Sequence, residues 1–213
     1  MKIEYLGHSC FRLIGRNAEV VFDPFTGIGL PDPVAEADLV LCSHGHRDHS
    51  HVGSTAKPSA KVLVGFVGEA VHASVGIRGI AAYHDDEGGA KRGTNSIYVI
   101  VIDGLKVCHL GDLGHQVSDR DLREIRGVDV LLVPVGGFYT IGAKEASSLV
   151  DRIAPRIAIP MHYRTKLHSP GFANLSTVED FASLRQNVIL KGGSELSVGA
   201  GSLPESPTTV ILE

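Results

Sequence analysis

The run Cys42-Ser43-His44-Gly45-His46-Arg47-Asp48-His49-Ser50-His51 places four of the chain's 11 histidines and an aspartate in the eight residues from His44 to His51. Side chains at H-x-H-x-D-H spacing cannot all point one way from a single element, but a sharp turn opening a helix splays them into two clusters. Neutral imidazoles and carboxylates are borderline-hard ligands, so two such clusters suit two adjacent divalent cations, with zinc preferred and manganese next. The bland alternative is a solvated polar loop, yet this density of histidine directly after an apolar strand has no packing use. Cys10, Cys42 and Cys108 share no C-x-x-C spacing and lie in apolar contexts, which makes them reduced core residues rather than a disulfide framework or zinc ribbon. Four more ligand types end apolar runs: Asp23 after Val20–Phe22, His84 after Ile77–Tyr83, Asp112 after Leu110-Gly111, and His162 after Ile159–Met161.

Loops at strand ends must hold these groups. Lys2–Leu6, Cys10–Ile14 and Glu19–Phe22 read as an antiparallel opening, and Asp38–Cys42 as the strand feeding the histidine loop. Lys61–Val64 and Ile77–Tyr83 read as strands flanking a short helix near Gly68–Ser74, and a glycine-rich loop runs from Asp85 to Gly93. Ser96–Ile102 and Lys106–Leu110 form a hairpin through Asp103-Gly104. The second half alternates strand and helix. Ser118 or Asp119 caps a helix to about Arg126, Val130–Val135 is a strand, and Ala143–Ile153 is helical with Ala146, Leu149, Val150 and Ile153 on one face. Arg156–Pro160 is a strand, and Ser176 opens a helix over Thr177–Leu184. Val188–Leu190 and Glu195–Val198 follow, with Thr208–Leu212 a last edge strand.

Composition bounds the function. With 213 residues, 43% hydrophobic and 21% charged, the chain reads as a single domain over residues 1–213 with a sizeable core. A net charge of −4 supplies no global field to recruit large nucleic acids or anionic lipid. The longest apolar runs, Ile97–Ile102 and Val130–Val135, fall far short of the ~20 residues of a spanning helix, and the N-terminus has no export signal. The expectation is a cytoplasmic protein with no membrane partner.

The ordered set His44, His46, Asp48, His49, His84, Asp112 and His162, with Asp23 ahead of it, resembles the metallo-β-lactamase-fold superfamily of metal-dependent hydrolases. Within it, Leu6-Gly7-His8-Ser9-Cys10-Phe11, Arg92-Gly93-Thr94-Asn95-Ser96 and Pro134–Ile141 are similar to the compact, lactonase-like Zn-dependent branch that includes ascorbate-6-phosphate lactonase. The resemblance implies an αββα sandwich, an α/β fold of two mixed sheets face to face with helices on the outer faces. It implies that His44, His46 and His84 hold one metal, that Asp48, His49 and His162 hold the other, and that Asp112 bridges them. Asp23 would orient the histidine loop. His109 and His115, which flank Asp112, compete with His84 for the first site; His109 reads better as a core residue, and His115 as a pocket residue at the mouth.

The implied function is hydrolysis of a small, anionic ester, lactone or phosphoester by a hydroxide that two metals activate, with Asp48 accepting its proton. Tyr139 joins His115 in the substrate pocket, and backbone N–H groups around Val135–Thr140 either cradle an anion or merely make a tight turn. Arg164, Lys166 and His168 would add positive charge at the rim or lie on solvated surface. His8, His51 and His72 read as structural, with His8 and His51 supporting the site from behind. Two other functions fit the same residues: a nuclease or cyclic-nucleotide phosphodiesterase, and a metal-dependent sensor or binding module without turnover.

Overall fold

The computed structural model spans Met1–Glu213 and contains two mixed sheets. The strands are Lys2–Gly7 (β1), Cys10–Ile14 (β2), Glu19–Phe22 (β3), Ala37–Cys42 (β4), Ala56–Val64 (β5), Gly68–His72 (β6), Val75–Tyr83 (β7), Thr94–Ile102 (β8), Leu105–His109 (β9), Val130–Pro134 (β10), Ile157–Met161 (β11), Val188–Leu190 (β12), Glu195–Ser197 (β13) and Thr208–Ile211 (β14). Helices are Asp119–Ile125 (α1), Ala143–Ile153 (α2) and Val178–Ala182 (α3). The six-stranded sheet runs β13-β1-β2-β3-β4-β5 and the eight-stranded sheet β12-β14-β11-β10-β9-β8-β7-β6. In each, an antiparallel region passes into a parallel one, at β3–β4 and at β9–β10.

The main core lies between the sheets. Alternation turns Phe11, Leu13, Val20, Phe22, Leu39 and Leu41 inward from the first sheet. On the second sheet, β10 and β11 are buried along their whole length because helices cover their far side, which explains their unbroken apolar runs. The apolar face of α2 is the expected one: Ala146, Leu149, Val150 and Ile153 are buried.

Of the α-helices, α2 and α3 pack on β10 and β11 of the eight-stranded sheet and α1 packs on α2, while a 3-10 turn at Val52–Ser54 abuts β5 of the other sheet. On the outer face of the six-stranded sheet, Phe25, Ile28 and Ala35 from the connection between β3 and β4 pack on Cys10, Val21, Val40 and Cys42, closing that face with loop instead. The three cysteines are free and buried, as expected.

Two elements correct the sequence reading. Gly68–Ser74 is not a helix: β6 pairs antiparallel with β7 through a turn in which Ala73 and Ser74 have φ of 47° and 66°. Two successive positive φ values match a type I′ turn, whose usual Asn-Gly signature this sequence lacks. The cross-strand pair Glu69 and Arg78, 2.6 Å apart, fixes the register. Thr208–Ile211 is not an edge strand, since it pairs in parallel with both β11 and β12. No helix is long and apolar enough to cross a membrane.

Candidate metal centre

The ligand-type side chains converge at one end of the sandwich, at strand ends, where an open sheet offers its loops to a ligand. His44, His46, Asp48 and His49 follow β4, His84 follows β7, Asp112 follows β9, and His162 follows β11. The two sheets are tied together here. Ser96 N–H donates to the Ser43 carbonyl at 2.8 Å, and the Asn95 side chain accepts from Asp112 N–H at 2.9 Å while donating to the Leu110 carbonyl. Gly111 stands at this seam with φ +57°, and a Cβ there would run into Asn95 and Ser43.

Asp23 organises the histidine loop as expected. Its Oδ1 accepts from Ser43 N–H at 2.6 Å, and its Oδ2 accepts from Ser43 Oγ at 2.7 Å and from His49 Nδ1 at 2.9 Å. Because Ser43 Oγ gives its proton to Asp23, it accepts from His44 Nδ1 at 2.9 Å. Both imidazoles therefore carry a proton on Nδ1 and aim Nε2 into the site, where a cation would take the place of a proton on His49 Nε2. Asp23, His8 and His162 have φ of 42°, 54° and 53°, an uncommon conformation for side-chain-bearing residues that costs on the order of 1–3 kcal/mol each.

Three groups form. His44, His46 and His84 bring ligand atoms within 4.8 Å of one another, as do His44, His49 and Asp112, and His8, His49 and His162. Asp112 Oδ2 lies 3.1, 3.2 and 3.3 Å from Nε2 of His49, His84 and His162. Asp48 Oδ2 lies 3.8 Å from His49 Nε2, and its side chain stays partly exposed at the cleft. His84 thus joins the cluster. His109 stays in the core, stacked on Phe22 and donating to the Ser9 carbonyl while its Nδ1 accepts from Gly111 N–H.

The electrostatics match a cation site. Burial alone would raise Asp112, but His162 and His49 outweigh it and hold the carboxyl well below its ordinary range. Burial would likewise raise Asp23, but His109 and His49 lower it. Burial would lower His49, and Asp112 and Asp23 reverse that to hold it well above the usual value. His44, under burial and the neighbouring His49, falls to about 3. Nε2 of His44 and His49 and Oδ1 of Asp112 are buried without a hydrogen-bond partner. Unpaired lone pairs facing one another are costly without a cation and are the donor set that zinc or manganese takes. The residues fit a metal centre.

A cleft of about 370 Å³ opens over the centre, lined by His46, Asp48, His84, Arg92, Asp112, Tyr139, His162, Gly171 and Phe172. Of the two residues expected in a substrate pocket, Tyr139 lines this cleft, whereas His115 Nε2 accepts from Tyr83 N–H at 3.1 Å and the residue lines a separate recess beside α2. N–H groups of Gly137, Tyr139, Thr140 and Ile141 have carbonyl partners, as in a tight turn, which leaves few N–H groups of that loop for an anion. Arg164 and Lys166 line a different cavity of about 740 Å³ with Tyr5 and Tyr163. His72 Nε2 meets the Asp38 carbonyl, a structural role.

Sequence reasoning did not single out Arg92, and it read His8 as supporting the site from behind. The Arg92 guanidinium lies over the Tyr139 ring, 5.2 Å from its centroid, and forms no salt bridge. Its loop is wound around Asp85, whose carboxylate accepts from N–H of Glu87, Gly89, Lys91 and Arg92 at 2.7–3.0 Å. His8 is fully buried against His162, with ring centroids 4.2 Å apart.

Known proteins share this architecture. Residues 2–162 match the β-lactamase superfamily domain. A UPF0173 metal-dependent hydrolase of Pyrococcus furiosus is 32% identical, aligned over 93% of this chain and 100% of its own. A crystal structure from Thermotoga maritima, described as a Zn-dependent hydrolase of the metallo-β-lactamase superfamily, is 36% identical, with a TM-score of 0.82 over 100% of this chain and 98% of that one. A metallo hydrolase of Ignicoccus hospitalis, at 21% identity and a TM-score of 0.66 over 93% of this chain and 98% of that one, shares the fold. With its histidine-rich site at the strand ends, the chain belongs to the metallo-β-lactamase superfamily, in the UPF0173 family of metal-dependent hydrolases.

Proposed function

We propose that the protein is a dinuclear-metal hydrolase of a small anionic ester, lactone or phosphoester. His44, His46 and His84 would hold one cation and Asp48, His49 and His162 the other, with the Asp112 carboxylate placed between the two sets. Zinc is the preferred ion and manganese the alternative. Two bound cations supply Lewis acidity, bringing the pKa of water toward neutrality and offsetting charge on the reacting oxygens. Asp48, at the cleft, takes the proton of the attacking water on its carboxylate. The observation that carries the anionic substrate is Arg92, half-buried in the same cleft as the ligand set and without a carboxylate partner. Its planar fork suits a carboxylate or phosphate, and Tyr139 and Phe172 wall the remaining space.

Metal analysis of the purified protein, joined to turnover of phosphodiesters, phosphorylated lactones and thioesters with chelated and metal-restored controls, tests the proposal. Two equivalents of metal and chelator-sensitive turnover of one class are expected. Turnover that survives complete metal removal overturns the mechanism, and full metal occupancy without turnover of any class favours a sensor. Asp48→Asn should abolish turnover with the fold intact; a variant active at full metal content would remove Asp48 from its role.

A further inference from the structure

The loops around the metal centre are joined to one another, and Tyr139 makes two of the joins. The Arg92 guanidinium, on the loop after β7, lies over the Tyr139 ring at 5.2 Å from its centroid. Tyr139, on the loop after β10, donates its hydroxyl proton to the Gly171 carbonyl at 3.1 Å. Gly171 and Phe172 belong to the loop after β11, and the Phe172 ring meets the Tyr139 ring edge-on with centroids 6.4 Å apart. One phenol thus ties together loops from three strand ends, and Arg92, Tyr139, Gly171 and Phe172 all line the cleft.

The rim continues beyond Tyr139. Ser169 N–H donates to the Ile28 carbonyl at 2.7 Å, and a Cβ on Gly29 would strike the Leu167 carbonyl, so the loop after β11 is seated on the connection between β3 and β4. That connection in turn abuts the histidine loop. His51 N–H donates to the Pro24 carbonyl at 2.8 Å, and the Arg47 guanidinium packs on Gly27, where a Cβ would meet it at 3.3 Å. Between residues 44–51 and 85–93, by contrast, no hydrogen bond or ion pair runs. A rim joined on three sides and open on one admits the end of a molecule, whereas a polymer lying across the centre needs two opposite openings. The volume of about 370 Å³ is near the lower end of the ~300–1,000 Å³ of small-molecule sites.

We infer that Tyr139 determines specificity by making the cleft blind, so that the substrate is a small molecule presenting a terminal anionic group to Arg92 and not an internal phosphodiester of a nucleic-acid strand. This rests on the dinuclear reading and deepens it. The face of the ring positions the Arg92 head through the attraction between a cation and a π-system. The hydroxyl holds the Gly171 turn in place as a wall. Because the two roles fall on different atoms of one side chain, they can be separated: Tyr139→Phe keeps the face and removes the strap, and Tyr139→Leu removes both.

The test uses the zinc-loaded full chain, titrated by calorimetry at constant ionic strength with inorganic phosphate and with a short oligothymidylate that lacks terminal phosphates. Hydrogen exchange over residues 169–173 is read by mass spectrometry, and zinc content is measured alongside. Phosphate should bind the wild type and the oligonucleotide should not displace it. Tyr139→Leu should weaken phosphate about 3- to 10-fold, the scale of a partly exposed cation–π contact. Tyr139→Phe should hold phosphate within about 2-fold, while the amides of Phe172 and Ala173, which are bonded within the turn, exchange about 3- to 10-fold faster for want of one hydrogen bond. Displacement of phosphate by the oligonucleotide, unchanged phosphate affinity in Tyr139→Leu at full zinc content, or unchanged exchange in Tyr139→Phe would each overturn the inference. If Tyr139→Leu does not fold, the other two arms still decide. Absence of zinc from the wild type would instead overturn the dinuclear reading, and the exchange comparison, which needs no metal, still tests the strap.

Discussion

The two sheets equip the centre differently. On the six-stranded sheet, side chains set the chemistry of the ligands: Asp23 holds His49 directly and His44 through Ser43, so both imidazoles carry a defined tautomer. On the eight-stranded sheet, His84 and His162 have buried Nδ1 atoms without a partner and are placed by backbone, His84 N–H on the Gly93 carbonyl and His162 N–H on the His8 carbonyl. That sheet puts its side-chain chemistry into the wall of the cleft instead, through Arg92, Tyr139 and Phe172 on its loops. Metal affinity and substrate choice are therefore separable: changes behind the first sheet's loops should alter metal binding, and changes in the second sheet's wall should alter KM.

Asp112 joins the two halves, and its removal should have the largest effect. Its carboxylate lies within 3.3 Å of imidazoles from both sheets, so Asp112→Ala should weaken both cations and bring turnover to background. Metal content by mass spectrometry checks this; retention of both equivalents would show that the carboxylate does not bridge.

Next come Asp23 and Ser43. Asp23→Asn leaves at least one of three donors facing an amide N–H, and through His49 and Ser43 it reaches both ligand groups. Loss of such supporting bonds costs about 10- to 100-fold in metal affinity. Both binding steps should weaken in a chelator competition. Ser43→Ala should weaken only the step that depends on His44, since the bond from His49 to Asp23 remains. Equal loss of both steps in Ser43→Ala would break the division of roles.

Arg92 tests the other side. A hydrogen bond to a charged group contributes about 1.5–3 kcal/mol, so Arg92→Ala should raise KM about 10- to 100-fold for an anionic substrate, with kcat little changed and metal content intact. Arg92→Lys should recover part of this, because it keeps the charge and loses the fork and the stacking on Tyr139. Steady-state kinetics at constant metal load decides; a fall in kcat without a change in KM would place Arg92 in the chemical step.

The legible and illegible parts of the site differ for a physical reason. Ligands bunched in H-x-H-x-D-H, or ending apolar strands, announce themselves because strand alternation and chain order suffice to bring them together. His84 over His109 needed the register of β9, which turns His109 onto Phe22. His8 was within reach of sequence reasoning: β1 and β3 run the same way across an antiparallel meander, so the turn after β1 falls at the same sheet end as Asp23. Arg92 was not within reach, because its position depends on a loop folding around one carboxylate with no periodic signal. The β6 hairpin was hidden for a related reason, its turn being made by Ala73 and Ser74 rather than by Asn-Gly.

That loop gives the smallest and most discriminating test. Burial would raise the Asp85 carboxyl, but N–H bonds from Arg92, Gly89, Glu87 and Lys91 bring it down to about 2, against an ordinary value of about 3.9. A depressed carboxylate stabilises the fold fully above its unfolded value, and that contribution disappears as pH falls through the folded one. The stability difference between wild type and Asp85→Asn, from urea midpoints, should therefore hold steady at pH 5–7 and shrink between about pH 4 and 2. At neutral pH the variant should raise KM a few-fold, since Arg92 loses its anchor. Asp85 also adjoins His84. If the variant sheds a metal while KM stays constant, the wall and the ligand share one support, and the separation of the two roles fails at this loop.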